Sequence, residues 1–221
     1  MAKMAAFKIM DCALLTRMSG LPPVVNLREL RDRISVCAED VIYHHFCETW
    51  LRPTFDNPDY RNDLAVWAKN GLLDRVLAER LAIIDPYEYD SIEMLRTHLI
   101  EIFEDRLGEL QPWVPMVRSG NEFYFMQAMT VVFDTGEQVN RAKDLAAAVE
   151  RMTIGSIYFH FLEARRRSNE HLDDFSAWLS ESNSGLQDAI NDLQGIDFYF
   201  SDLDEIRREI VGVLKRIGGR K

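Results

Sequence analysis

FKIMDCALLTRMSG at residues 7–20 returns as FYFMQAMTVVFDTG at residues 123–136, with Phe7, Met10 and Gly20 matched by Phe123, Met126 and Gly136. The correspondence continues downstream. Ile42-Tyr43-His44-His45-Phe46-Cys47-Glu48 aligns with Ile157-Tyr158-Phe159-His160-Phe161-Leu162-Glu163. Asn62-Asp63-Leu64-Ala65-Val66-Trp67 aligns with Asp173-Asp174-Phe175-Ser176-Ala177-Trp178, and later Asp85 and Leu95-Arg96 answer Asp197 and Ile206-Arg207. A self-similarity this long marks two copies of one supersecondary unit. Between them, Gln111-Pro112-Trp113-Val114-Pro115 and the turn Ser119-Gly120-Asn121 break any helical period. The expected organisation is a first repeat over 1–110, a linker over 111–121 and a second repeat over 122–221.

Within the first copy, Asn26 followed by Glu29 forms a capping box, with Leu27, Leu30, Ile34 and Cys37 at helical spacing behind it. Glu39 and Asp40 suit the N-terminus of a next helix, which carries Ile42, His45, Phe46 and Trp50 and must end before Pro53. Residues 53–61 read as a loop. Leu64, Trp67 and Ala68 restart a helical face, residues 72–81 continue helically, Asp85-Pro86 breaks the run, and Ser91 with Glu93 opens a last helix. The opening segments at Phe7 and Phe123 are ambiguous: Phe123-Tyr124-Phe125 and Val131-Val132-Phe133 are strand-like in composition. Met, Ala and Leu dominate the first of them and the remainder is helical, so both are assigned to helices. The expected fold is therefore all-α, a tandem duplication of a helical unit of roughly 100 residues, with two pseudo-equivalent helical bundles packed together.

The 221 residues are 47% hydrophobic and 28% charged, with a net charge of −10. Such a chain repels polyanions on average, so neither nucleic acid nor an anionic membrane is an expected partner. No apolar run approaches the ~18 residues of a membrane span. The apolar start of the chain is interrupted by Lys8 and Asp11 and recurs mid-chain, which makes it structure rather than a signal peptide. Cys12, Cys37 and Cys47 are odd in number, form no C-x-x-C pair and have no second-copy counterparts. They fit buried thiols in a reducing cytoplasm, with no disulfide framework and no structural zinc.

The Ile-Tyr-x-His-Phe-x-Glu and Asn-Asp-Leu-Ala-Val-Trp segments, followed by Leu77-Ala78-Glu79-Arg80-Leu81-Ala82-Ile83-Ile84-Asp85, resemble the prokaryotic family known as domain of unknown function 5752. The second half carries the same pattern in Thr135-Gly136, Ser156-Ile157-Tyr158-Phe159-His160, Asp174-Phe175-Ser176-Ala177-Trp178 and Ile206-Arg207-Arg208-Glu209-Ile210. It departs in Asp173, where the pattern has Asn, and in Ala189-Ile190-Asn191-Asp192-Leu193, where it has LAE-x-L. The resemblance spans nearly the whole chain and brings no established activity with it.

His45 with Glu48 and His160 with Glu163 stand three residues apart, so on a regular helix each pair shares a face. An imidazole beside a carboxylate serves a general base or a metal ligand, and equally a core histidine that needs a partner for its ring N–H. The spacing matches neither HExxH nor the E-x-x-H of di-iron bundles, and no metal or other cofactor is expected. Asp63 and Asp174 either add a third carboxylate or cap the helices that they precede. Tyr43 and Tyr158 fit buried packing or a ligand contact. Arg165 and Arg166, in the run Arg165-Arg166-Arg167, fit a phosphate or carboxylate site or a solvated helix face. There is no Gly-rich phosphate loop and no G-x-S-x-G elbow. The function read from the residues is a soluble helical module that binds or regulates a protein or small-molecule partner. The alternatives are an enzyme using the His, Glu and Asp side chains in two pseudo-equivalent pockets, and a structural homo-oligomer.

Overall fold

The computed structural model describes residues 5–51, 60–182, 184–198 and 201–219. Residues 53–59 of the expected loop lie outside them. The all-α expectation is overturned. Strands β1 (Phe7–Met18) and β2 (Met126–Val139) pair into a two-stranded antiparallel sheet, and these are the repeated segments assigned to helices above. The protein is a mixed α and β structure rather than a helical bundle. Each strand finds its backbone partners in the other copy, far away in sequence, and that pairing overrides the helix preference of Met, Ala and Leu.

The chain forms two compact units: one is Leu14–Met129, the other joins Met1–Ala13 to Thr130–Lys221. Each unit thus combines the helices of one copy with the opening segment of the other, the boundaries falling within β1 and β2. The duplicated halves have exchanged the segments that open them, up to Ala13 in the first copy and up to Met129 in the second.

In the unit Leu14–Met129 the helices are α1 (Leu27–Ile34), α2 (Glu39–Phe46), α3 (Asp63–Asn70), α4 (Arg75–Ala82) and α5 (Ile92–Leu110). The expected cap is present, with the reciprocal bond shifted to the residue before Asn26. Asn26 Oδ1 accepts the Glu29 N–H, and the Glu29 carboxylate accepts the Val25 N–H. Asp74 caps α4 through Leu77 N–H, after Leu73 turns with a positive φ of 58°, so helix resumes at Arg75 rather than running on from residue 72. Ser91 caps α5 through Met94 N–H, as the sequence pattern predicts. Leu27, Leu30, Ile34, Ile42, Leu64, Leu77, Leu81, Leu95, Leu99 and Phe103 fill the core, and Phe123 and Phe125, just before β2, join them.

In the second unit, α6 (Ala142–Val149) and α10 (Gln187–Gln194) pack on the long α11 (Leu203–Gly219). Between them run α7 (Ile154–Ile157), a π-helical segment Tyr158–Glu163, α8 (Ala164–Arg167) and α9 (Asp174–Ser182). Phe7 and Ile9 of β1 are buried here, among a core that includes Leu145, Ile157, Tyr158, Phe161, Phe175, Leu179 and Ile206. Among the described residues no helix is long and apolar enough to cross a membrane.

Candidate functional site

Each helical half holds the other copy's strand with the same set of residues. In the unit Leu14–Met129, His45 on α2 is 3% exposed, and its Nδ1 lies 2.5 Å from Oδ2 of Asp63, the first residue of α3. Its Nε2 accepts the backbone N–H of Met126 at 3.0 Å. A backbone amide only donates, so Nε2 carries the lone pair and Nδ1 the proton that is given to Asp63. Trp67, one helical turn beyond Asp63, donates its indole N–H to the carbonyl of Asn121 at 2.8 Å. Phe123 is wedged between these two clamps, its ring 4.9 Å from that of His45 and 5.6 Å from that of Trp67.

The other unit repeats the arrangement with the N-terminal strand. His160 Nδ1 lies 2.7 Å from Asp174 Oδ2, and its Nε2 accepts the Met10 N–H at 2.9 Å. Trp178 donates to the Ala5 carbonyl at 2.8 Å. Phe7 lies 4.9 Å from the His160 ring, 5.6 Å from Trp178 and 5.4 Å from Phe175. In both units the clamp therefore reads the backbone of a strand at two points five residues apart and the phenylalanine between them. Side-chain hydroxyls add to the grip on β1: Ser156 donates to the Met10 carbonyl and Thr135 to that of Ile9. The strand lies directly on the start of α7, where a Cβ on Gly155 would stand 2.4 Å from the Cys12 carbonyl oxygen, so only glycine fits.

The expected His–Glu pairs do not form. After Phe46 the α-helix ends and Glu48 opens a 3₁₀ turn, where it meets Nδ1 of the neighbouring His44 at 2.8 Å. In the second copy the π-helical winding of Tyr158–Glu163 carries Glu163 off the His160 face, and Glu163 pairs with Arg166 at 2.6 Å instead. The histidines' carboxylates are Asp63 and Asp174. Capping falls to the residues before them: Asn62 accepts the Ala65 N–H and Asp173 the Ser176 N–H. Tyr158 is fully buried and Tyr43 partly so.

The arginine run is committed to internal contacts. The Arg165 guanidinium lies over the Phe161 and Phe198 rings, Arg166 holds Glu163, and Arg167 bonds the Phe159 carbonyl and Asp174. Sequence spacing missed the backbone partners of the histidines. The signal that finds them is the repeat itself, in which Phe, Met, His, Asp and Trp all recur.

Burial pushes the Asp173 carboxyl above the ordinary aspartate range, against the pull of its Ser176 hydrogen bonds and of Arg165. The unfolded chain loses this proton near an ordinary pKa of about 3.9 and the folded chain at higher pH. Between the two values the native state binds more protons, so stability falls as pH rises. Asn62 fills the matching position without charge, its amide donating to the Leu81 carbonyl. Asp173→Asn is therefore expected to raise the thermal midpoint at pH 7 by about 2 °C or more, with the gain shrinking toward pH 4. A variant no more stable than wild type at pH 7, or a gain independent of pH, contradicts this account.

The model of the family of unknown function DUF5752 matches residues 4–215. The solved structure of OrfY from Thermoproteus tenax is similar over 96% of this chain and 95% of that one, at 27% identity and a TM-score of 0.77. No curated protein matches the chain.

Proposed function

Because the chain belongs to the DUF5752 family, whose function is unknown, we propose its role from geometry: a non-catalytic module that binds or regulates a protein partner. One observation carries this reading. Both nitrogens of His45 and of His160 are engaged, Nδ1 by an aspartate and Nε2 by a backbone N–H. A general base needs a lone pair within reach of its substrate's proton, and a metal ligand needs one for the metal. Here that lone pair holds a strand. The duplicated His and Asp side chains work as architecture, which speaks against the enzyme reading.

Exposed apolar side chains favour a protein partner. Trp113 is 84% exposed and Met116 is 68% exposed, and both flank the start of the second copy. The net charge of −10 disfavours nucleic acid and anionic membranes. Three buried cysteine thiols fit a reducing cytoplasm.

The test is imidazole acylation with diethyl pyrocarbonate, read by peptide mass spectrometry. Exposed His98 and His171 are expected to react, and His45 and His160 to stay at least about tenfold slower. Equal labelling of His45 or His160 with His98 restores the enzyme reading.

A further inference from the structure

The two clamps hold strands that share little beyond their register. Around the common Phe and Met, β1 presents Lys8, Ile9 and Asp11 where the other strand presents Tyr124, Phe125 and Gln127. Yet the His Nε2 to amide distances, 2.9 and 3.0 Å, and the Trp to carbonyl distances, both 2.8 Å, agree between units. A site that reaches the same geometry on two different sequences reads backbone and one aromatic anchor, which is how strand-binding domains take extended peptides. The strand at Phe123 is tethered at both ends. The strand at Phe7 is gripped in addition by Ser156 and Thr135, which donate to the Met10 and Ile9 carbonyls.

We propose that the clamp of the unit containing His160, Asp174 and Trp178 is a peptide-binding site, occupied at rest by the chain's own segment that runs into β1. Its partner is an extended segment of the pattern x-x-Phe-x-Ile/Phe-Met that displaces that strand. The proposal deepens the binding-module reading and rests on it by naming the chemistry of the partner. His160 Nε2 accepts the amide of the ligand's Met, Trp178 donates to the carbonyl two residues before its Phe, and the Phe ring enters the space between His160, Phe175 and Trp178. Specificity at the following position comes from Thr153. Its hydroxyl donates to Asp11 Oδ1 at 2.7 Å, so an acidic residue after Met is preferred over the Gln127 of the other strand.

At rest the tethered strand has an effective concentration on the order of millimolar, so a micromolar peptide does not displace it. Weakening the tethered strand opens the site. The experiment uses the full chain and a fluorescent peptide of residues 5–13, followed by anisotropy. The Phe7→Ala chain is expected to bind the peptide at least about tenfold more tightly than wild type. A peptide of residues 121–129 should bind more weakly, and the residues 5–13 peptide carrying Phe7→Ala should not bind. Adding His160→Gln to the Phe7→Ala chain should abolish capture. A Phe7→Leu chain, which keeps most of the buried volume, gives the same order of affinities if Phe7→Ala does not fold. The proposal fails if a folded Phe7 variant captures no peptide, if it binds the Phe7→Ala peptide equally well, or if wild type binds as tightly. Such a failure leaves the acylation result intact, so the two readings are judged separately.

Discussion

Phe7→Ala is expected to be among the most damaging single changes in the protein, lowering stability by about 3–5 kcal/mol, the range for removing a buried phenylalanine. Phe7 is 5% exposed and packs against the rings of His160, Phe175 and Trp178, so truncation empties the centre of the clamp. Urea unfolding should report the loss, and hydrogen exchange should place it. The Met10 amide, held by His160, should lose protection first. Phe123→Ala should do the same to the Met126 amide through His45. A Phe7→Ala chain with wild-type stability, or one in which Met10 stays protected, would overturn the view that the aromatic anchor seats the strand.

The parts of this site were legible in the sequence, and their connections were not. The repeat singled out His45, His160, Asp63, Asp174, Trp67 and Trp178, because each recurs in register. Local spacing then paired each histidine with the wrong acid. It assumed one regular helix through Glu48 and Glu163, whereas one copy tightens into a 3₁₀ turn and the other widens into a π-helical segment. The strands were misread for a related reason. Leu14, Leu15 and Met18 are good helix formers, and what makes them strand is pairing with residues that no local window contains. The buried helices α1 and α5 were easier, because their caps, Asn26 and Ser91, act within three residues. The exchange of strands between copies left no trace in composition or period.

The coupling between His45 and Asp63 provides the second large effect. His45→Ala strands the Met126 N–H and takes from Asp63 the ring proton that it accepts, at a cost of roughly 1–3 kcal/mol. Asp63→Ala should cost a comparable amount, leaving the ring N–H of a nearly buried imidazole without its acceptor. The double variant should cost less than the two singles together, by 0.5 kcal/mol or more, as contacting partners do. The corresponding cycle between His45 and Glu48 should show a smaller coupling, since Glu48 meets His44. Thermal or urea unfolding of the six chains decides the matter. A larger coupling to Glu48 than to Asp63 would return the histidine to the partner that local spacing gives it.

The reciprocal exchange of strands also sets a timetable for the ribosome. All residues of the unit Leu14–Met129 have been made once Met129 is added, and its clamp spans 81 residues from His45 to Met126. The other clamp spans 150 residues from Met10 to His160 and closes fully only after Trp178 has appeared. At about 5–20 residues per second, Met10 therefore waits roughly 8–30 s for His160, whereas Met126 finds His45 already made. During that interval Phe7 and Ile9 are a hydrophobic segment without a groove. That segment is thus open to misassociation until Trp178 has been made.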